Sequence, residues 1–329
     1  MMPTIKEIAE LANVSSSTVS RILNGDESIQ VSLETRKRVL AVAEKLNYIV
    51  KSNKNTNNAI GTIAITNWYT KEITLADLFM RSILWGLEST LKTAGYKIIR
   101  SDFNDSLPDE NTIDGIIAVG EYHGKNMQQL RNLNKPLVII NQDTLYEDIS
   151  CVTIDFKYSV TKIIEYFEQE GHEKIGMIEG KNKYSLKNHI MDPRAKTFRD
   201  EMKKRGKLNE DYIFLGDFSI DSGYQQMIQA IDTLKEDLPT AFFINSDTMA
   251  IGALRALNER QIPCPEQVRI IGFGNVEVGN YMTPKLSTVE LNASQMGTYG
   301  AILIQSIMNG QQNTPVNIIT GTKLLIKET

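Results

Sequence analysis

Short apolar runs alternate with helix-like patterns over most of the chain, and this alternation limits the possible folds more than any other feature. The first run, Ile60–Thr66, precedes a helical periodicity over Ala76–Ala94. The alternation starts again after Tyr158 and continues to a run at Arg269–Phe273. Strands that alternate with helices form a parallel sheet covered by helices. The two series therefore predict an α/β fold of two doubly wound lobes, with a ligand cleft at the carboxyl ends of the strands.

The first 24 residues have a different pattern, which predicts two short amphipathic helices joined by a tight turn. Thr4 and Glu7 have the spacing of a capping box, so the first helix is expected to begin there. Ser32 is expected to cap a third helix. By periodicity alone, the run could equally be a helical hairpin with a solvated, serine-rich face. The apolar stripe of the first helix is predicted to consist of Ile5, Ile8, Ala9, Leu11 and Ala12.

The second predicted helix has small polar residues at its start and an arginine on its outer side. Such a helix suits the DNA major groove, where its first residues meet base edges and arginine can form two hydrogen bonds with guanine. Ser16, Ser17 and Arg21 are the candidates for base contacts. Hydroxyl groups and helix N-termini can bind phosphates. The remaining DNA-binding candidates are Thr4, Ser15, Thr18 and Asn24.

This run resembles the headpiece signature of the lactose/galactose repressor family. Its matching positions are Thr4, Ile5, Ile8, Ala9, Ala12, Val14, Ser15, Thr18, Val19, Ser20, Arg21, Leu23 and Asn24. Matches at Gly171-His172, Phe243–Gly252, Val268–Phe273 and Pro284–Val289 extend the resemblance along the chain. Within the family, the sequence is most similar to repressors of galactose and galactoside operons.

The resemblance implies a three-helix helix-turn-helix headpiece followed by two lobes of periplasmic-binding-protein type. The headpiece would comprise residues 1–49 and the linker or hinge residues 50–59. An N-terminal effector lobe would combine residues 60–157 with 292–319. A C-terminal effector lobe would combine residues 158–291 with 320–329, so the chain would cross between the lobes near its end.

Candidate effector-binding residues lie at the predicted strand ends and at one helix start. Sugars require hydrogen-bonding groups around their hydroxyls and aromatic faces against their C–H patches. The resemblance implies that Arg194 binds sugar hydroxyls and that Phe218 stacks on the ring. Alternatively, Asp247 could serve as a helix cap, and Arg194 could pair with Asp192 or Asp200 on the surface. The candidates are Tyr69, Asp143, Arg194, Phe218, Ser246, Asp247 and Asn275.

Three positions depart from the family pattern. The linker Val50–Asn58 lacks the leucine that wedges into the minor groove and kinks DNA, which questions a hinge helix. Gly274 replaces the family's effector aspartate, so Asn275 or water would take over its hydroxyl contact. Ser16 and Ser17 are small, so Arg21 would carry more of the base discrimination.

The charge distribution separates the N-terminal part from the rest of the chain. Residues 1–61 contain eight lysines and arginines against six acidic residues, although the whole chain has a net charge of −4. A slightly basic head on an acidic body favours phosphate contact by the head alone. The chain lacks an apolar signal core and a membrane-length apolar run, so a cytoplasmic protein without membrane partners is expected. Cys151 and Cys264 have no metal or redox spacing, so neither metal nor cofactor is expected.

These patterns predict a repressor that binds operator DNA and is released by a sugar between its lobes. A homodimer is expected because two heads would match a pseudo-palindromic operator, and a tetramer stays open. A corepressor, either a purine or a phosphoprotein partner, is the alternative within the family. A transport receptor for sugars is a weaker alternative. An enzyme is not expected, since no nucleophile–base pair, metal spacing or phosphate loop is present in the sequence.

Overall fold

The computed structural model describes residues 4–23, 31–32, 35, 38–39, 42–43, 59–67, 77–102, 107–181 and 191–329. The chain divides into two compact units, Met1–Asn58 and Ala59–Thr329. We call the smaller unit the head and the larger unit the body.

The head begins with two helices, α1 (Ile5–Ala12) and α2 (Ser16–Leu23). The predicted capping box is confirmed, because the Glu7 amide donates to Thr4 Oγ1 (3.3 Å) and the Thr4 amide donates to Glu7 Oε2 (2.7 Å). Asn13 ends α1 in the left-handed region with a φ of 52°. Asparagine tolerates that conformation better than most residues, so the chain can turn sharply into α2.

A third segment completes the apolar core of the head. Ser32 Oγ accepts a hydrogen bond from the Thr35 amide (3.1 Å), as expected of a cap. Val39 is fully buried against the residues of α1 and α2. Arg38 Nε donates to the Ala12 carbonyl (2.9 Å), which ties this segment to the end of α1.

The predicted apolar stripe of α1 is wrong at one position. Leu11 is 63% exposed, whereas Ile8, Ala9 and Ala12 are at most 5% exposed. A helix turns about 100° per residue, so Leu11 lies about 100° away from the face that these three residues share. The buried stripe is therefore narrower than the sequence suggested.

The body consists of strands and helices in alternation. The strands are β1 (Thr62–Asn67), β2 (Lys97–Asp102), β3 (Gly115–Val119), β4 (Leu137–Ile140), β5 (Ser150–Ile154), β6 (Ile175–Gly180), β7 (Ile213–Gly216), β8 (Ala241–Ile244), β9 (Arg269–Ile271), β10 (Thr288–Leu291), β11 (Asn317–Thr320) and β12 (Thr322–Leu325). The helices are α3 (Asp77–Ala94), α4 (Lys125–Arg131), α5 (Phe156–Gln169), α6 (Pro193–Lys204), α7 (Ile220–Leu234), α8 (Asp247–Glu259) and α9 (Ala293–Met308).

Two parallel sheets form the centres of two lobes. The first sheet has the strand order β11-β5-β4-β3-β1-β2, and the second has the order β7-β6-β8-β9. Neighbouring strands within both sheets are parallel. The strand order reverses between β1 and β3 and again between β6 and β8. In such sheets, ligands bind outside the carboxyl ends of the strands at these switch points.

The first sheet is covered on both faces, and the alternation of side chains along β1 shows how. Ile63 and Ile65 join a core with α3 and α9, while Ala64 joins a second core with α4. Helices α3 and α9 approach each other so closely that a Cβ on Gly297 would lie 1.9 Å from the Ile83 carbonyl oxygen. Glycine at this position permits the helix contact that closes the first lobe.

The C-terminal part of the chain alternates between the lobes. Strand β10 pairs with β12 antiparallel, and isolated bridges join Ser287 to Ile271 and Glu290 to Gly274, beside β9. Strand β11 instead pairs with β5 at the edge of the first sheet. Each lobe therefore contains residues from both halves of the body. The predicted fold, a helix-turn-helix head followed by two doubly wound α/β lobes, is confirmed.

Candidate functional site

The outer side of α2 presents hydroxyl groups and one guanidinium group. Ser16, Ser17 and Arg21 are exposed, whereas Val19 and Ile22 face the core of the head. The three residues predicted to read bases thus lie on the accessible part of one helix. This arrangement can reach base edges if the helix enters a major groove.

Ser15 has a structural contact that the sequence reasoning missed. Its Oγ accepts a hydrogen bond from the Thr18 amide (3.1 Å) at the start of α2. The Ser15 hydroxyl also lies 2.7 Å from the Ser17 hydroxyl and 2.9 Å from that of Thr18. These contacts fix the first turn of α2. Thr4 caps α1, and its predicted phosphate contact stays a prediction, as do those of Ser15 and Thr18.

Asn24 and Tyr69, two further candidates, lie outside the described residues. The same is true of the linker Val50–Asn58, in which the missing leucine questions a hinge helix.

Arg194 lies at the switch point of the second lobe. It follows Pro193 at the start of α6, where Asp192 is the N-cap and accepts the Arg194 amide (2.8 Å). The guanidinium donates from Nε to Asp192 Oδ1 (2.8 Å) and from Nη2 to Asp192 Oδ2 (2.6 Å). Its Nη1 donates to the carbonyl of Asn245, directly after β8 (2.6 Å). Arg194 therefore does pair with Asp192, but within the fold, because its side chain is only 17% exposed.

Three phenylalanine rings surround the Arg194 guanidinium. Its Cζ lies 5.5 Å from the ring centroid of Phe156, 5.6 Å from that of Phe218 and 5.3 Å from that of Phe273. Each ring follows a strand end, of β5, β7 and β9 respectively. A cation at such distances is attracted to the faces of aromatic rings. The apolar rings and the charged pair together form a site with both polar and C–H-binding surfaces.

Phe218 is held in an unusual backbone conformation against a glycine. Its φ is 70°, in the left-handed region. A Cβ on Gly180, the last residue of β6, would lie 2.6 Å from the Phe218 ring. The Gly180 amide donates to Asn245 Oδ1 (2.9 Å), while Asn245 Nδ2 is buried without a hydrogen-bond partner in the described part of the chain. Gly180 thus leaves the space that the ring of Phe218 occupies.

Glu121 follows β3 at the switch point of the first lobe. It is half-buried, two residues after the strand ends. Burial raises the pKa of its carboxyl group above the usual value, the charge of Asp192 raises it further, and the charge of Arg194 opposes both. Burial by itself would lower the pKa of Arg194, but the charge and hydrogen bonds of Asp192 raise it. The carboxyl groups of Glu121 and Asp192 and the guanidinium of Arg194 therefore interact electrostatically in the cleft.

Ser246 and Asp247 begin α8 in different roles. Ser246 is the N-cap, because its Oγ accepts a hydrogen bond from the Met249 amide (3.2 Å). The capping role that the sequence suggested for Asp247 is therefore performed by Ser246. The buried Asp247 carboxylate accepts hydrogen bonds from Thr288 Oγ1 (2.6 Å) and the Val276 amide (2.8 Å). Burial raises its pKa to about 6 despite these donors. Asp247 thus joins the loop after β9 to β10.

Asn275 and Asp143 are also engaged by the protein itself. Asn275 Nδ2 donates to Glu290 Oε1 (3.2 Å), and its Oδ1 accepts from Lys327 Nζ (3.2 Å). Asp143 is exposed after β4, and its Oδ1 accepts the Leu145 amide (3.1 Å). The structure therefore brings Arg194 and Phe218 together, whereas the amide of Asn275 already has two partners.

Glu121, Phe156 and Phe273 are site residues that the sequence reasoning missed. All three share one signal, since each lies within two residues of a strand end in the body. Asp192 was considered only as a surface partner, although an aspartate before a proline at a helix start is a typical N-cap.

The described residues contain no group of three histidine, cysteine or acidic side chains placed to hold a metal ion. Within the same ranges, no helix has the length and apolar character needed to cross a membrane. Burial raises the pKa of the Cys264 thiol to about 12, which disfavours a reactive thiolate at that position.

Comparison with protein families gave two matches. A model described as "Bacterial regulatory proteins, lacI family" matches residues 4–50. A model described as "Periplasmic binding protein-like domain" matches residues 164–329. The chain is 36% identical over 329 residues to the HTH-type transcriptional regulator GalR of Lacticaseibacillus casei, with 99% of each protein covered.

Solved structures of similar fold include two transcriptional regulators with bound ligands. A complex of the transcriptional regulator CelR with cellobiose has a TM-score of 0.70 and 24% identity, and covers 99% of both chains. The lac repressor dimer bound to operator and the anti-inducer ONPF has a TM-score of 0.69 and 21% identity, and covers 100% of this chain and 99% of its own. At these identities the two structures support the fold.

Proposed function

Since the chain belongs to the lacI family of bacterial regulatory proteins and is a DNA-binding transcriptional repressor, we propose that it controls a galactose or β-galactoside operon and that a sugar of this class releases it from its operator. The head would bind DNA through Ser16, Ser17 and Arg21 of α2. The sugar would bind between the lobes of the body.

The arrangement around Arg194 carries the proposal for the sugar. A sugar offers hydroxyl groups along its edge and C–H patches on its faces. Arg194 provides planar donors, and the partly exposed rings of Phe156 and Phe218 provide apolar faces 5.5 and 5.6 Å from its guanidinium. Phe273 is buried behind them and packs against the same guanidinium. The buried Asn245 Nδ2, without a partner among the described residues, adds a further donor at the same switch point. The cellobiose in the CelR complex shows that this fold can hold a sugar.

Release by the sugar requires differential affinity. A sugar shifts the protein away from DNA only if it binds the non-operator conformation more tightly than the operator-bound one. Contacts from both lobes, such as Phe156 of the first and Arg194 of the second, give a bound sugar a means of favouring one lobe arrangement. We propose a homodimer in the cytoplasm, because a head with a small positive charge excess gains affinity when two heads bind two half-sites.

The test is binding to the promoter DNA beside the protein's own gene, at fixed salt, with and without galactose, lactose and allolactose. We expect tight binding without sugar and release by at least one of the three. DNA binding that none of them changes would refute the proposed sugar class. DNA binding strengthened by a small molecule or a cell extract would instead support a corepressor.

A further inference from the structure

Two carboxyl groups and one guanidinium meet between the switch points of the two lobes. Building on the proposed function, we propose that Glu121 is a specificity-determining residue, which makes the cleft accept neutral sugars and reject sugar phosphates and uronates. Arg194 is the residue to which an anionic ligand would be expected to bind.

The positive charge of Arg194 is already compensated within the protein. Asp192 holds the guanidinium through two parallel hydrogen bonds of 2.8 and 2.6 Å, and its side chain is only 11% exposed. A third N–H donates to the Asn245 carbonyl (2.6 Å). A guanidinium has five N–H donors, so two are left in the described structure. These two N–H groups can donate to hydroxyl oxygens. The positive charge of Arg194, which would attract a phosphate, is balanced by the carboxylate of Asp192.

Glu121 adds a second negative charge on the opposite side of the cleft. It comes from the first lobe, after β3, whereas Asp192 and Arg194 come from the second. Phe156 follows β5 in the same parallel sheet as β3, and its ring centroid lies 5.5 Å from the Arg194 Cζ, so the carboxyl ends of the first sheet face the guanidinium. The charges of Asp192 and Arg194 accordingly act on the Glu121 carboxyl group. The set carries two negative charges and one positive charge when Glu121 is ionised. An anionic ligand would therefore meet a net negative charge.

The Glu121 carboxyl is available to a ligand. Among the residues that the structure describes, no donor forms a hydrogen bond with its side chain, although it is half-buried. A carboxylate is an acceptor, and every sugar hydroxyl is a donor, so a neutral sugar can satisfy it. A phosphate or carboxylate group offers it no donor at neutral pH and leaves two acceptors facing each other.

The apolar surroundings strengthen this discrimination. Three phenylalanine rings lie within 5.6 Å of the Arg194 guanidinium. Charges interact more strongly where water is excluded, so repulsion between Glu121 and an anion is weakly screened. Like charges placed against each other at an interface reduce affinity strongly, and we expect about a 100-fold preference for the neutral ligand.

The experiment compares matched ligands and matched variants of the full chain by isothermal titration calorimetry. The neutral probes are galactose and lactose, and the anionic probes are galactose 6-phosphate and galacturonate. The variants are Glu121→Gln, which removes the charge but keeps the shape, and Glu110→Gln, which removes an exposed charge from the same lobe. Glu121→Ala serves as a second variant if the glutamine variant is unstable.

We expect the wild type and Glu110→Gln to bind a neutral probe and to reject both anions. Glu121→Gln should keep its affinity for the neutral probe to within about tenfold and reduce the preference for it by about tenfold. Retained binding of the neutral sugar separates a loss of selectivity from a loss of the fold. If Glu121→Gln and Glu121→Ala prefer the neutral sugar over the anions as strongly as the wild type does, the inference is overturned. The proposed function would then remain intact. If the wild type binds neither these probes nor allolactose, both the proposed function and this inference are refuted.

Discussion

Arg194 and Asp192 form a bidentate ion pair in which the aspartate also caps the helix that carries the arginine. Asp192 Oδ1 accepts both the Arg194 amide and its Nε at 2.8 Å, and Oδ2 accepts Nη2 at 2.6 Å. One side chain therefore sets the helix start and the guanidinium plane together. The family signature in the sequence places an arginine here, but this second role of Asp192 emerges only from the geometry.

Replacing Asp192 by asparagine should separate its two roles. Asparagine is as good an N-cap as aspartate, so α6 should keep its start. Loss of the charge-assisted bonds to the guanidinium should lower the free energy of unfolding by about 1–3 kcal/mol, measured by urea denaturation at pH 7. Asp200→Asn, which removes an exposed ion pair with Lys196 in the same helix, is the control and should have no measurable effect. Equal stability of the two variants would contradict a stabilising role for the buried pair.

Replacing Arg194 by alanine should abolish the response to sugar and leave operator binding intact. The reason is that Arg194 belongs to the body, whereas the DNA-binding candidates lie in the head. The measurement is operator affinity by fluorescence anisotropy with increasing sugar. Arg260→Ala, which removes an exposed arginine just after the far end of α8, should respond like the wild type. A normal sugar response of Arg194→Ala would rule out the proposed role.

Replacing Gly180 by alanine should weaken sugar binding through Phe218. The added Cβ would lie 2.6 Å from that ring, so the ring must leave its present position 5.6 Å from the Arg194 guanidinium. We expect a loss of about tenfold in sugar affinity, which corresponds to one lost aromatic contact. Gly321→Ala is the matched control, because its Cβ would meet nothing within 4 Å. Equal affinities of the two variants would show that the position of the ring is unimportant.

Replacing Arg21 by lysine should distinguish base reading from charge. Lysine keeps the positive charge but lacks the planar pair of donors that can bond guanine at two points. Specific operator affinity should fall by about 1–3 kcal/mol, with little change on unrelated DNA of the same length. Arg21→Ala should reduce both. If Arg21→Lys keeps its preference for the operator, Arg21 does not read a base.

The pKa of Asp247 gives the stability a defined dependence on pH. A folded-state pKa of about 6 exceeds that of aspartate in an unfolded chain, so the folded state binds this proton more tightly. The stabilising contribution is complete below the unfolded pKa and is lost as the pH rises through about 6. Relative to Asp247→Asn, the free energy of unfolding of the wild type should fall by about 2 kcal/mol between about pH 4 and pH 7. Parallel pH profiles of the two proteins would exclude the raised pKa, and Asp211→Asn should show the profile of the wild type.

Local patterns in the sequence predicted the local structure well. The capping box of Thr4 and Glu7 depends on residues three positions apart, and both of its hydrogen bonds are present. The alternation of strands and helices predicted the two-lobe body for a similar reason, because strand and helix periods are visible within a few residues. Leu11 escaped this reasoning because a short helix leaves the width of its buried stripe undefined.

The site could be predicted only in part, because its residues converge through the order of the strands. Phe156, Phe218 and Phe273 are up to 117 positions apart and meet because β5, β7 and β9 all end at the cleft. Glu121 has no motif of its own, so its position opposite Arg194 depends on the strand order of the first sheet. Asn275 is the opposite case, a residue that the sequence indicated as a ligand contact. Its side-chain amide instead forms hydrogen bonds with Glu290 and Lys327.

The alternation of the C-terminal strands between the lobes has a consequence for the gene. Strand β11 completes the edge of one sheet, and β12 pairs with β10 in the other lobe, within nine residues of each other. A premature stop codon or frameshift after Met308 would therefore damage both lobes at once. Neither lobe is encoded by one uninterrupted stretch of the gene. A single lobe could therefore be expressed by itself only if its separate segments were joined by a new linker.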